Sequence, residues 1–75
     1  MKHRIYVVAV ARKDGKLPGA EKIVNGQIFH DLRDAERQLE AVEYADDHAP
    51  VELQPYRNLY CVYEATIEIQ GKVKP

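Results

Sequence analysis

The chain has a single cysteine, Cys61, among its 75 residues. No intrachain disulfide can form, and no Cys/His set has the spacing of a structural zinc site. Both of the usual staples of small folds are therefore excluded. A domain of this size buries only about 60% of the surface its unfolded form exposes, so a partner subunit is the remaining common remedy. Long apolar runs are also lacking: nothing approaches the roughly 20 residues needed to cross a bilayer, and no membrane partner is expected. Ile5 to Ala11 follows Lys2, His3 and Arg4, and Ala9-Val10-Ala11 imitates a cleavage site. The run stops at Arg12, short of the roughly 15–30 residues of a secretory signal, so the expected location is cytoplasmic.

A surplus of one charge is missing too, since the formal net charge is −1. Dedicated nucleic-acid binders are normally basic as a whole, so nucleic acid is not expected as a direct ligand. The balance hides an asymmetry: residues 1–22 carry a net +4 and residues 31–54 a net −6. Halves of opposite sign can attract each other, within a fold or between subunits.

Catalytic patterns are absent as well. There is no G-x-G-x-x-G or Walker sequence; Asp14-Gly15 and Asn25-Gly26 are turn pairs. His3, His30 and His48 lie far apart, without the spacing that puts two imidazoles on one helical face. Cys61 falls on an apolar strand face, where a thiol is an inert small hydrophobe. The carboxylates lie on solvated faces and give no acid–base pair. The expectation is a non-enzyme with no catalytic residue, no metal and no cofactor.

What the sequence does contain is a long alternation from Asn58 to Gln70. Leu59, Cys61, Tyr63, Ala65, Ile67 and Ile69 alternate with Tyr60, Val62, Glu64, Thr66, Glu68 and Gln70. Side chains of a strand point to opposite faces with period two, so the first set forms one apolar face, expected to meet a helix. Ile5 to Ala11 reads as a second strand, rich in β-branched residues and apolar on both faces. Which of its faces the helix covers stays open. Between these, Lys13–Ala20 is connection. Then either Glu21–Val24 and Gln27–His30 form a tight ribbon turned at Asn25-Gly26, or Lys22–Phe29 is one strand bulged at Gly26. The second reading is preferred because the ribbon strands would be very short.

Asp31 can cap a helix running to about His48, with Asp34 as a weaker partner in a capping box. Leu32, Ala35, Leu39 and Val42 recur as one helical stripe. Pro50 closes the element, and Val51–Arg57 is a return loop. The fold class is thus α+β: a small antiparallel three-stranded sheet in ββαβ order with one helix packed on one face. Ile5–Arg12 lies at its centre. Residues 1–70 form a single domain and 71–75 a flexible tail. The expected core is Val7 and Ala9 or their neighbours, Ile23 or Val24, Phe29, Leu32, Ala35, Leu39, Val42, Cys61, Tyr63, Ala65 and Ile67.

Two surfaces invite a partner. Glu36, Glu40, Glu43 and Asp47 make an acidic ridge on the helix; such charge runs are usually solvated faces. Tyr6, Val8, Val10, Tyr60 and Val62 are candidates for an uncovered sheet face, with Tyr44 pointing outward from the helix. The leading functional expectation is a small protein-interaction module that binds another macromolecule and forms a homodimer through the open sheet face. The alternative is a nucleic-acid-linked accessory or inhibitor protein, similar in size and charge to those of phage and mobile elements. It would use the acidic ridge as a phosphate mimic, or the basic end (Lys2, Arg4, Arg12, Lys13, Lys16) to bind phosphate.

Overall fold

The computed structural model describes residues 2–56 and 58–75. Its regular elements are strand β1 (Lys2–Val10), helix α1 (Leu32–Asp47) and strand β2 (Tyr60–Glu68), with short 3₁₀ segments at Ala20–Lys22, Val24–Gly26 and Val51–Tyr56. Arg57, the last residue of the expected return loop, lies outside the described residues. β1 and β2 pair antiparallel, with Ile5 opposite Ala65, Val7 opposite Tyr63, Val8 opposite Val62 and Ala9 opposite Cys61.

The expected three-stranded ββαβ sheet is not formed: the described residues contain a two-stranded sheet. In place of the second strand, two isolated bridges join Tyr6 to Phe29 and Ala9 to Ile23 along the other edge of β1. The reason is in the backbone between them. Asn25 and Gly26 both adopt positive φ, 55° and 63°, a conformation that curls the chain into a 3₁₀ turn rather than extending it. Six chain steps from Ile23 to Phe29 face only three from Tyr6 to Ala9. A β-bulge accommodates one extra residue, not three, so the ladder breaks. The Tyr6–Phe29 contact is still well made, with both backbone N–H groups donating, at 2.7 and 2.8 Å. β1 therefore lies between β2 and the 23–29 segment, and α1 is the crossover between these two flanks.

The helix begins where its cap allows. Asp31 has extended backbone angles, and its Oδ1 accepts from the Arg33 N–H at 2.8 Å, which satisfies one of the orphan donors of the first turn. At the other end the return loop supplies the cap. Gln54 Nε2 donates to the carbonyls of Asp46 and Ala49, both at 3.0 Å.

Opposed residues of an antiparallel pair share a face. One face of the sheet thus carries Tyr6, Val8, Val10, Tyr60 and Val62; the other carries Ile5, Val7, Ala9, Cys61, Tyr63, Ala65 and Ile67. The loop residues Leu17–Ala20 and Ile23 lie over the second face, around a hollow that no α1 residue lines. The contacts of α1 with both strands consequently fall on the first face. Val8, 1% exposed on that face, and Ala35, 0% exposed on α1, are both fully buried. The apolar row of β2 was expected beneath the helix and instead faces away from it.

The buried core is smaller than expected. It consists of Ile5, Val7, Val8, Ala9 and Ala35 among the described residues. Leu39 and Val42 are half-buried, while Leu32 and Ile67 count among the exposed hydrophobics.

Candidate functional site: an open apolar row on an unpaired strand edge

The backbone of β2 alternates in direction as its side chains do. Tyr6 bonds to Phe29, so the even-numbered groups of β1 point away from β2 and the odd-numbered ones toward it. The Ala11 N–H donates to the Leu59 carbonyl at 2.8 Å, which continues the same phase by one more pair. Hence Cys61, Tyr63 and Ala65 spend their backbone groups on β1. Val62, Glu64 and Thr66 point theirs outward. Among the described residues no element pairs with that outer edge. An unpaired strand edge is a template for another chain unless charge, proline or a covering segment blocks it.

Beside this edge runs the apolar row. Leu59 is 71% exposed, Ile67 36% and Ile69 81%, with Cys61, Tyr63 and Ala65 half-buried between them. The inner half of the same face is roofed by the Leu17–Ile23 loop over Ile5, Val7 and Ala9, leaving a hollow of about 260 Å³. Tyr63 lines this hollow. Loss of hydration raises its phenol above the usual 10.0, with the Cys61 thiol adding to the effect, so the side chain stays neutral in a mostly apolar setting. The roof was missed in the sequence, where Leu17-Pro18-Gly19-Ala20 reads only as a turn; two apolar residues flanking that turn were the available signal.

The candidate residues named from the sequence are distributed as follows. Val8 is sealed under the helix, and Tyr6, Val10, Tyr60 and Val62 are half-buried on the same side. They share one face of the sheet, and it is the face that the helix covers. The cause is that β1 is apolar on both sides, so its pattern does not say which side the helix takes. Tyr44 is 65% exposed and stacks on His48 with ring centroids 3.9 Å apart, while His48 Nδ1 lies 2.9 Å from the Tyr44 carbonyl oxygen. Glu36, Glu40, Glu43 and Asp47 are all exposed on α1. No ion pair involves Glu36, Glu40 or Glu43 among the described residues.

The remaining charges are local. Arg4 Nε meets Glu64 Oε1 at 2.7 Å across the strands, and Arg12 Nε donates to Asp14 Oδ1 at 3.0 Å in the following turn. That guanidinium, helped by the Lys16 N–H, holds the Asp14 carboxyl below its ordinary 3.8. Among the described residues no three His, Cys, Asp or Glu side chains are grouped to hold a metal, and no helix is long and apolar enough to cross a membrane. No family model, no curated protein and no solved structure matches this chain.

Proposed function

We propose that this chain is a non-catalytic interaction module that works as a homodimer and presents its helices to another macromolecule. The observation that carries the reading is excess surface. The chain exposes 6311 Å², against roughly 4,700 Å² for a folded monomer of its mass. Its radius of gyration is 14.8 Å, where a compact domain of this length has about 11 Å. The exposed segment after Glu68, taken as fully unfolded chain, accounts for roughly 700 Å² of the excess. About 900 Å² remains, close to the roughly 800 Å² that each partner contributes to a standard interface.

A second copy is a natural cover because a twofold axis lets one patch bury itself. In such a dimer the outer face of α1, with Tyr44 and the ridge Glu36, Glu40, Glu43 and Asp47, lies outside the contact and can meet a further partner. Sedimentation equilibrium at high micromolar concentration tests the reading. The expected mass is about twice the 8.6 kDa of one chain; a mass of 8.6 kDa would overturn it. The ridge also supports a second reading, a phosphate mimic that competes with nucleic acid for a basic protein. Added salt separates the two, because binding through the ridge must weaken with ionic strength while apolar association does not.

A further inference from the structure

We propose that the second copy joins edge to edge through β2, antiparallel and centred on Tyr63, so that the two sheets become one four-stranded sheet. This rests on the homodimer reading above and fixes its geometry. The free edge offers the outward backbone groups of Val62, Glu64 and Thr66, in phase for an antiparallel neighbour. Direct opposition on that edge pairs even residues with even and odd with odd, so the twofold must pass through one residue pair.

Charge and strand overlap together choose among the registers. A centre at Glu64 sets Glu64 against its own copy, and a centre at Thr66 sets Glu64 against Glu68; like charges directly opposite are destabilising. A centre at Tyr63 places Glu64 opposite Val62 and Glu68 opposite Asn58, with no like charges facing. On the apolar side it places Tyr63 opposite its copy, Cys61 opposite Ala65 and Leu59 opposite Ile67. The two exposed rows thereby lie side by side, each side chain packed laterally against its cross-strand partner. Centres at Ala65, Val62 and Cys61 also avoid like charges. The first leaves Leu59 opposite Gly71, beyond the end of β2 at Glu68, and the other two leave Ile67 opposite positions 57 and 55, before the last β1-bonded residue, Leu59. Extension in the other direction is already present, since Leu59 bonds to Ala11.

Two copies of Tyr63 then form a non-hydrogen-bonded pair with Cα atoms about 4.5 Å apart, within reach of a disulfide. Native Cys61 lies four residues from its copy, roughly 13 Å along the strand, beyond that reach. Purified Tyr63→Cys in a Cys61→Ser background should cross-link to a covalent dimer with copper phenanthroline, while the wild type stays monomeric on a denaturing gel. Ala65→Cys with Cys61 retained gives a second check, because those two thiols oppose each other across the edge. Thr66→Pro removes one outward N–H and leaves the β1 ladder intact; it should abolish the dimer and keep the native circular dichroism.

Efficient cross-linking of wild-type Cys61, or no cross-linking of either engineered thiol, overturns the pairing. If the wild type sediments as a dimer with that result, the homodimer reading survives and only the edge geometry falls. A wild type that sediments as a monomer removes both.

Discussion

Val8 is the side chain on which the packing of strand and helix depends most directly. Among the described residues it is the largest fully buried side chain, 1% exposed, and faces the helix that contributes the fully buried Ala35. Val8→Ala removes two methyl groups, worth about 1.6 kcal/mol at ~0.8 kcal/mol each. If the site does not collapse, a cavity of roughly 50 Å³ adds about 1.2 kcal/mol at ~24 cal/mol per Å³. The expected cost is therefore about 1.6–2.8 kcal/mol, out of a total near 4–11 kcal/mol for a chain of this length. With a urea m-value near ~1 kcal/mol/M, the midpoint should fall by about 1.5 M or more. Melts must be compared at one protein concentration, because association adds to apparent stability. Glu40→Gln on the exposed ridge should change stability by less than about 0.5 kcal/mol. Equal melts for these two variants would mean that α1 does not pack on the Val8 face.

Three further outcomes follow from local geometry. Asp31→Ala should cost about 0.5–2 kcal/mol by circular dichroism melts, since it removes the acceptor for the Arg33 N–H. Asn25→Gly should be close to neutral and Asn25→Val should cost about 1–2 kcal/mol, because Asn25 holds φ at 55°. Asp14 has a depressed pKa, with Arg12 as the main cause. Its contribution is thus present above pH 3.8 and lost as pH falls through the lowered value. Arg12→Gln should return the Asp14 carboxyl toward its ordinary titration, read by NMR.

Much of this fold was legible as periodicity. The 3.6-residue stripe and Asp31 placed α1 within a residue of its observed ends, Leu32 and Asp47. The alternation after Asn58 placed β2, and the two-sided apolar run placed β1, though not as the centre of a three-stranded sheet. Periodicity says which residues share a face but not what covers it. For β1 both faces are apolar, so the helix could take either, and it took the side of Val8 rather than that of Ala9. The second strand failed for another reason: Asn25-Gly26 was seen as a turn or a bulge, but the number of residues it consumes depends on pairing across the sheet. The Leu17–Ile23 roof left only Leu17 and Ala20 as a signal, because a loop that folds back on a face leaves no period. The open row of β2 follows from these two facts together.

Whether a second copy covers the outer edge of β2 is read out by amide hydrogen exchange, residue by residue. Exchange reports the opening of individual backbone hydrogen bonds. Cys61, Tyr63 and Ala65 bond inward to β1 and should be protected at every protein concentration. Val62, Glu64 and Thr66 point outward; their amides should be protected at high micromolar concentration and lose that protection on dilution. Free exchange of those three amides at high micromolar concentration, with the inward three still protected, would contradict the account.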